Sequence, residues 1–392
     1  MKKVCIIGGC GHVGLPLGLA MASRGFDVSL VDINAKLVEL INEGKVPFQE
    51  SGAEEILSEV LTKGNFRATL DAGVVQGGDI IVFVTGTPVD EHLNPRVNDV
   101  LDVVRSYMPY LNPKQLLVLR STIYPDVFDV VDNILQDTLH EKFKLAFCPE
   151  RVLQGKGIEE IFSLPQIVSA NSSIACDEAA AVFSKIAPKV ILLEPEEAAL
   201  AKLMTNSWRY LQFAIANQFY MLVEEKGYNF YKILGALSED YPRAKFFAKA
   251  GFAAGPCLFK DTRQISAFYN NKFFLGHAGM LINEGLPKFV VNQLEQKLGG
   301  LKGKHIALLG MTFKANNDDT RESLSFKVKK LLDFKMAHTY IHDPYLKTES
   351  LKDVLKGAEG VILGVPHDEY KDISPKVPYV DCWNLWNSKK ME

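Results

Sequence analysis

The sequence lacks any apolar run long enough to span a bilayer, and its first residues, Met-Lys-Lys, lead into a strand-like segment instead of a signal peptide. Metal-binding patterns are also missing, because the six cysteines are scattered, with no CxxC pair and no Cys/His cluster at zinc spacing. Positive and negative charges are nearly balanced, since the formal net charge is −3. We therefore expect a cytoplasmic protein with reduced thiols and no structural metal, whose partners include neither nucleic acid nor a membrane.

The composition that is present is typical of a globular protein. Of the 392 residues, 47% are hydrophobic and 23% are charged. A chain of this length exceeds a single small core, so we expect two or three domains.

The first 32 residues predict a strand over 4–7, a glycine turn, a helix over 15–23 and a second strand over 27–31. The turn fits the pattern GxGxxG with Gly9, Gly11 and Gly14. Such a turn lets the backbone approach a pyrophosphate at the helix N-terminus. Asp32 ends the second strand, where a carboxylate can accept hydrogen bonds from the adenosine ribose and repels a 2′-phosphate. The segment therefore predicts binding of NAD rather than NADP.

The alternation of strands and helices continues, with further strands expected at 79–84, 115–119, 145–147 and 190–193. This pattern indicates an α/β fold with a doubly wound, mostly parallel sheet, whose ligands lie beyond the carboxyl ends of the strands. Polar loops follow three of these strands, at 85–88, 121–122 and 148–151. The hydroxyls of Thr87 and Thr122 can bind nicotinamide or ribose there, although Ser and Thr at strand ends are also common helix caps.

A helix of about 30 residues is predicted from Glu196, because neither Gly nor Pro interrupts the chain until Gly227. It is apolar over more than one stripe, which suits burial between domains or subunits. Lys202 and Asn206 are four residues apart and share one face. The pair can belong to a solvated surface or can hold an oxyanion.

A small-residue loop, Gly251 to Asp261, presents Cys257 beside Lys260 and Asp261. A nearby cation favours the nucleophilic thiolate, and a carboxylate can position or deprotonate a water. The alternative is a buried, inert cysteine.

The last part of the chain opens a second strand–helix alternation, with strands expected at 305–309, 339–341, 360–363 and 379–380. Between the first strand and its helix lies a loop with Lys314 and Arg321, which can bind phosphate or can be an ordinary charged loop. With Gly299 to Gly303 as a linker, we expect three domains: 1–195 for NAD, 196–300 as a helical middle domain with the cysteine loop, and 301–392 as a second sheet domain.

Taken together and in their order along the chain, these motifs resemble those of the UDP-glucose/GDP-mannose dehydrogenase family. The likeness rests on the glycine turn with Asp32, Thr87-Pro88, Ser121-Thr122, Pro149-Glu150-Arg151, Lys202 with Asn206, Cys257 with Lys260-Asp261, and Gly310 to Arg321. The resemblance implies two Rossmann-like domains joined by a long central helix and a helical middle domain. It also implies a homodimer formed through the middle domain, a UDP-sugar substrate and a place in polysaccharide biosynthesis.

The resemblance implies a role for each matching residue. The catalytic residues would be Cys257, Lys202, Asn206, Asp261, Thr122 and Glu150. The NAD-binding residues would be Gly9, Gly11, His12, Val13, Gly14, Asp32, Thr87, Thr122 and Arg321. The substrate-binding residues would be Glu150, Arg151, Lys202, Asn206, Gly255, Lys260, Phe313 and Lys314.

The implied reaction is a two-step oxidation of the sugar's C6 alcohol to a uronic acid, through a thiohemiacetal and a thioester of Cys257. Glucose-specific members carry a second glutamate where this chain has Gln154, so thioester hydrolysis would rest on Glu150, Asp261 or another group. The run 148–153 resembles the branch that acts on UDP-N-acetylhexosamines such as UDP-N-acetylmannosamine, whereas the cysteine loop departs from that branch. UDP-glucose remains the alternative substrate.

Three other functions stay open at the level of the sequence. Relatives of the 6-phosphogluconate and 3-hydroxyisobutyrate dehydrogenases share the glycine turn and the Lys/Asn helix but carry out one oxidation without a cysteine. An NAD-retaining sugar epimerase would use a YxxxK pair, for which Tyr228 with Lys232 and Tyr241 with Lys245 qualify. A nucleotide-sugar sensor without enzymatic activity would have no reason to keep Cys257 in this setting.

Overall fold

The computed structural model describes residues 1–86, 90 and 96–386. The chain divides into two compact units, Met1–Thr205 and Asn206–Glu392. The boundary falls inside a helix of 31 residues, Pro195–Glu225.

The first unit is built on an eight-stranded sheet in the order β3-β2-β1-β4-β5-β6-β7-β8. Its strands are β1 Lys3–Ile7, β2 Asp27–Val31, β3 Phe66–Thr69, β4 Ile80–Phe83, β5 Leu116–Leu119, β6 Lys144–Phe147, β7 Gln166–Ala170 and β8 Val190–Leu192. Neighbouring strands are parallel except β6 and β7, which run antiparallel. The central strands are buried along their whole length, as parallel strands covered by helices on both faces must be.

Helices cover both faces of this sheet. They are α1 Gly14–Ser23, α2 Ala35–Asn42, α3 Ala53–Lys63, α4 Val97–Tyr107, α5 Val127–Leu139, α6 Gly157–Ser163, α7 Ser173–Phe183 and α8 Pro195–Glu225. Successive residues of a strand enter different cores. Ile6 joins the hydrophobic cluster with α1, α3 and α7, whereas Ile7 joins the cluster with α4 and α5. This two-residue alternation is the geometry of a strand buried on both faces.

The second unit combines helices with a four-stranded parallel sheet in the order β10-β9-β11-β12. Its strands are β9 His305–Leu309, β10 His338–His342, β11 Gly360–Leu363 and β12 Tyr379–Val380. Its further helices are α9 Phe230–Ser238, α10 Leu258–Phe268, α11 Phe274–Leu298, α12 Ser325–Phe334 and α13 Leu351–Leu355. One hydrophobic cluster contains both helix residues such as Tyr220 and Leu286 and sheet residues such as Leu308.

The prediction of a doubly wound α/β fold with a long helix and a second parallel sheet is confirmed, and each predicted strand is present within two residues of its predicted bounds. Two strands were not predicted, the four-residue edge strand β3 and the antiparallel β7. Helix α10 was also not predicted, because its sequence, LFKDTRQISAF, mixes polar and apolar residues after a loop. The division into three domains stays a prediction.

Within residues 1–86, 90 and 96–386, no helix has the length and apolar character that a membrane span requires.

Candidate active site

The glycine turn after β1 is shaped by contacts that exclude side chains at two of its three positions. A Cβ at Gly9 would lie 2.6 Å from the Ile6 carbonyl oxygen, and a Cβ at Gly14 would lie 2.6 Å from the Gly9 Cα. A Cβ at Gly11 would meet nothing closer than the Gly8 carbonyl oxygen at 4.0 Å. Gly9 and Gly14 therefore serve the packing of the turn, while Gly11 leaves an open cradle beside the N-terminus of α1, which fits a pyrophosphate.

Asp32 is tied to the same turn. Its Oδ2 accepts a hydrogen bond from the Cys10 N–H at 3.0 Å, and its Oδ1 accepts one from the Asn34 N–H at 3.0 Å. Burial raises the pKa of the Cys10 thiol to about 12, and the Asp32 charge adds to the shift. A partly exposed carboxylate thus stands at the end of β2 beside the open cradle, the position expected for a ribose ligand of NAD.

His12 and Val13, the other predicted residues of the turn, lie between Gly11 and α1. Val13 is the residue just before the first turn of α1. The His12 Nδ1 lies 3.1 Å from the Gln154 Nε2, and its ring packs against Phe48 at 4.0 Å between centroids. Gln154, the position of the substituted glutamate, is therefore hydrogen-bonded to the glycine turn.

The polar loops at the ends of β4 and β5 meet through hydroxyls. The Thr85 N–H donates to the Ser121 Oγ at 2.7 Å. Thr122 follows Ser121 and is partly exposed. Thr87, predicted to bind NAD, lies outside the described residues.

Glu150, after β6, is held by groups that the sequence did not reveal. Its Oε1 accepts hydrogen bonds from the Arg151 N–H at 2.7 Å and the Val152 N–H at 3.0 Å. Its Oε2 forms an ion pair with Arg120, whose side chain is 1% exposed. Arg120 precedes the predicted Ser121-Thr122 pair, and its position directly after a buried strand was the only available signal.

Arg151 points its guanidinium at the Pro165 carbonyl oxygen. Burial lowers the pKa of Arg151, although the charge of Glu150 acts in the opposite direction. The predicted substrate ligand is therefore engaged with its own unit in this structure.

Helix α8 carries Lys202 and Asn206, both buried, at 8% and 4% exposure. In the second unit, the Asn206 Nδ2 donates to the Asp261 Oδ2 at 2.6 Å. Asp261 is fully buried, and its Oδ1 forms an ion pair with the Lys260 Nζ at 3.4 Å without a hydrogen bond. The structure thus brings Asn206, Lys260 and Asp261 together, and their catalytic roles stay a prediction.

Cys257 is the residue just before the first turn of α10, and its carbonyl oxygen accepts the Asp261 N–H at 2.9 Å. All six cysteines are among the described residues, and Cys257 is the exposed one. Burial is the main cause that raises the pKa of each of the other five thiols: Cys5, Cys10, Cys148, Cys176 and Cys382. The predicted nucleophile is thus the exposed cysteine of the chain, and it lies at the N-terminus of a helix.

The cysteine loop is fixed at its start by an amide pair. The Gly251 N–H donates to the Asn217 Oδ1 at 2.9 Å, and the Asn217 Nδ2 donates back to the Gly251 carbonyl oxygen at 3.0 Å. A Cβ at Gly251 would lie 2.1 Å from the Trp383 ring, so the position requires glycine. Sequence reasoning missed Asn217, because nothing distinguishes it from other polar residues of α8.

Near its other end the loop packs on the segment that follows β9. Gly255 has φ +97°, a Cβ there would lie 2.6 Å from the Phe313 ring, and its N–H donates to the Glu322 carbonyl oxygen at 3.3 Å. A left-handed glycine lets the aromatic ring lie directly against the backbone. Gly255 and Phe313, both predicted substrate ligands, are therefore in contact.

The turn after β9 is anchored by Asp343. Its Oδ2 accepts hydrogen bonds from the Met311 N–H at 2.6 Å and the Thr312 N–H at 3.0 Å, and it lies 3.1 Å from the His367 Nε2. Burial alone would raise the pKa of Asp343, but the hydrogen bonds from His367 and the backbone lower it. Lys314, two residues beyond Thr312, is partly buried.

Arg321 is held by Asp319, which accepts from its Nε and Nη2 at 2.6 to 3.0 Å. These hydrogen bonds are the main cause that raises the pKa of Arg321, and the charge of Cys257 contributes in the same direction.

The alternative of a sugar epimerase can be compared with this geometry. Neither YxxxK pair lies within one helix, because Tyr228 precedes α9 while Lys232 is inside it, and Tyr241 and Lys245 flank a single 3-10 turn. An epimerase-type Tyr/Lys pair is therefore not formed. Across the part of the chain that the structure describes, no three His, Cys, Asp or Glu side chains group as metal ligands.

Comparisons with known proteins agree with this geometry. Models of three domains of one family match in succession: the NAD binding domain of the UDP-glucose/GDP-mannose dehydrogenase family over residues 2–187, its central domain over 196–283 and its UDP binding domain over 307–388. A UDP-N-acetyl-D-mannosamine dehydrogenase of Methanocaldococcus jannaschii is 30% identical over 380 residues, which cover 95% of this chain and 87% of that protein.

Two solved structures from archaea are similar over nearly the whole chain. The UDP-D-ManNAc dehydrogenase of Pyrococcus horikoshii has a TM-score of 0.90 at 26% identity, covering 95% of this chain and 91% of that one. A UDP-glucose dehydrogenase of Pyrobaculum islandicum has a TM-score of 0.93 at 26% identity, covering 100% and 96%.

Proposed function

Because the chain belongs to the UDP-glucose/GDP-mannose dehydrogenase family and is an NAD-dependent nucleotide-sugar dehydrogenase, we propose that it oxidises the C6 alcohol of a UDP-N-acetylhexosamine to the uronic acid. UDP-N-acetylmannosamine is the proposed substrate. The relative from Methanocaldococcus jannaschii and the structure from Pyrococcus horikoshii both carry that substrate in their names.

UDP-glucose is the second candidate, since the structure from Pyrobaculum islandicum is named for it. The residue at position 154 favours the first candidate. Gln154 stands where glucose-specific members have a glutamate, and its amide lies 3.1 Å from the His12 ring nitrogen.

The first unit supports the use of NAD. The open cradle at Gly11, the N-terminus of α1 and the Asp32 carboxylate would hold it. Bound there, NAD supplies a hydride acceptor for each oxidation.

Cys257 is the proposed nucleophile because it is exposed, whereas four of the other cysteines are buried and Cys176 is only partly exposed. The thiolate adds to the C6 aldehyde, a carbon–sulfur bond forms, and the carbonyl oxygen gains a proton to give a thiohemiacetal. Its oxidation leaves a thioester, and water then cleaves the carbon–sulfur bond to release the acid and the thiol. The covalent bond keeps the aldehyde from escaping between the two oxidations.

Asn206 and Lys202 are proposed to stabilise the charge on the C6 oxygen, a role in which one preorganised donor is worth on the order of 3 kcal/mol. The Asp261 carboxylate holds the Asn206 amide at 2.6 Å, which fixes the direction of its remaining N–H. Asp261, Glu150 and Thr122 remain the proposed groups for the hydrolytic water.

The single observation that carries this proposal is the exposed Cys257 thiol beside the buried Asn206–Asp261 pair. The test supplies purified protein with a panel of UDP- and GDP-sugars and counts NADH per sugar consumed. Two NADH with UDP-N-acetylmannosamine are expected. One NADH per sugar would indicate the single-oxidation relatives, and turnover of UDP-glucose alone would reassign the substrate.

We also infer a homodimer formed through the helices of the middle segment. Large apolar side chains are exposed on α8 and α11, among them Trp208 at 60% and Leu281 at 78%. Light scattering on the intact protein should give twice the mass of the 43.6 kDa chain. Leu281→Glu should shift that mass toward the monomer.

A further inference from the structure

Glu150 has almost no hydrogen-bonding capacity left in the first unit. Each carboxylate oxygen can accept about two hydrogen bonds. The Oε1 already accepts from the Arg151 and Val152 N–H groups, at 2.7 and 3.0 Å. The Oε2 faces the Arg120 guanidinium, so one acceptor position remains among the described contacts, and it belongs to Oε2.

Arg120 is itself fixed from several directions. Its Nη1 donates to the Gln166 Oε1 at 2.9 Å and to the Cys148 carbonyl oxygen at 3.2 Å. Its guanidinium carbon lies 5.1 Å from the centre of the Phe183 ring. Gln166 is locked in turn, because its Nε2 donates to the Pro149 and Ile167 carbonyl oxygens. A planar, always charged guanidinium suits such a multiple contact, whereas a lysine would be a single point charge.

The contacts place a buried cation behind a carboxylate that is only 12% exposed. The charged groups that face Glu150 within its unit are Arg120 and Arg151. A buried cation is retained at a cost in solvation, and this one is directed at a residue of the proposed site rather than at the core.

We propose that Arg120 is a positioning residue for the dehydrogenase reaction: acting through Glu150, it turns that carboxylate so that Oε2 accepts one hydrogen bond from the substrate or the hydrolytic water. This inference rests on the proposed function. It adds Arg120 to the machinery, as a residue that acts through Glu150.

The experiment compares Arg120→Met, Glu150→Gln and the double variant in steady-state kinetics from acid to neutral pH. Arg120→Met removes the positive charge that faces the carboxylate, so its activity should begin to fall at a higher pH than that of the wild type. Its kcat should fall about tenfold with little change in KM. Adding Arg120→Met to Glu150→Gln should cost little more, because Arg120 acts through the carboxylate that Glu150→Gln already removes.

Two further variants separate positioning from mere packing. Gln166→Leu removes another partner of Arg120 but leaves the Glu150 pair, so its pH profile should match the wild type. Arg120→Lys keeps a charge in place and should restore the acid side of the profile. Arg120→Gln, a second neutral variant, serves if Arg120→Met does not fold.

The proposal is overturned if Arg120→Met, or Arg120→Gln in its place, lowers the melting temperature yet keeps the wild-type pH profile, or if the effects of Arg120→Met and Glu150→Gln multiply independently. Wild-type protein that reduces no NAD with any nucleotide sugar would instead refute the proposed function, which keeps the two failures distinct.

Discussion

At the scale of single residues, accessibility separates Cys257 from the other five cysteines. The structure leaves this thiol exposed at the start of α10, while burial raises the pKa of Cys5 to about 11 and of Cys10 and Cys148 to about 12. Chemical reactivity of a cysteine follows the thiolate fraction and exposure together.

We therefore expect iodoacetamide at neutral pH to modify Cys257 and to spare the buried thiols. Well below pH 11 the buried thiols stay protonated, because their pKa values are raised. Peptide mass spectrometry measures the modification of each site. Equal labelling of Cys148 in folded protein would contradict this expectation.

Replacement of the proposed nucleophile should separate binding from chemistry. Cys257→Ser should lower uronate formation by about 10³-fold or more, while NAD affinity, measured by calorimetry, should stay unchanged. Cys176→Ser, on an unrelated helix, is the matched control and should keep full activity. Normal uronate production by Cys257→Ser would refute the covalent mechanism.

Asp32 should set the choice of cofactor. Its carboxylate stands at the end of β2, so wild-type protein should prefer NAD to NADP because a 2′-phosphate would meet its charge. Asp32→Ser should lower this preference, measured as the ratio of kcat/KM with NAD to kcat/KM with NADP. Equal rates of the wild type with both cofactors would contradict the role of Asp32.

At the scale of elements, two glycines of the turn between β1 and α1 can be replaced as a matched pair. Gly14→Ala places a Cβ 2.6 Å from the Gly9 Cα and should destabilise the unliganded protein by about 1–3 kcal/mol. Gly11→Ala meets nothing within 4.0 Å and should leave that stability nearly unchanged while it weakens NAD binding. Thermal melting and calorimetry measure the two effects.

If both substitutions had the same effect on stability and on NAD binding, Gly14 would not serve packing and Gly11 would not serve cofactor binding as separate roles. A loss of stability in Gly11→Ala as large as that in Gly14→Ala would contradict the geometry of the open cradle.

The elements also show which inferences a sequence can support. The glycine turn, the buried strands and the long helix have local signals, namely Gly spacing, apolar runs and the absence of breakers. The ion pair of Arg120 with Glu150 joins the ends of two strands 30 residues apart, and the Asn217–Gly251 pair spans 34 residues. Such pairings form only when the sheet and helices are packed, so no local sequence pattern predicts them. Helix α10 was missed for a related reason, because the Asn206–Asp261 contact that fixes its first turn is a tertiary one.

At the scale of the whole molecule, each compact unit should respond to its own ligand. Hydrogen exchange should slow at residues 8–14 and in α1 when NAD is added. UDP alone should instead slow exchange around residues 310–322, in the stretch that matches the UDP binding domain. Protection of residues 8–14 by UDP would contradict this division of ligands between the units.

The first strand of each unit ends in the same kind of turn. Gly8 and Gly310 both have positive φ, at 71° and 90°, and both donate their N–H to the neighbouring strand's last carbonyl oxygen at 2.8 Å. An aspartate then follows that neighbouring strand, Asp32 in one unit and Asp343 in the other, and accepts hydrogen bonds from the turn.

What differs is how much of each aspartate remains in contact with solvent. Asp343 is only 1% exposed and is enclosed by two backbone amides of its turn, the Tyr345 N–H and His367, whereas Asp32 stays partly open. In addition, α1 begins within the first turn, while α12 begins only at Ser325. A nucleoside whose ribose hydroxyls hydrogen-bond to a carboxylate would therefore reach Asp32 at the first turn. At the second turn Asp343 is enclosed. We therefore expect the burial of Asp343 to make the two turns bind different ligands, although they share one backbone geometry.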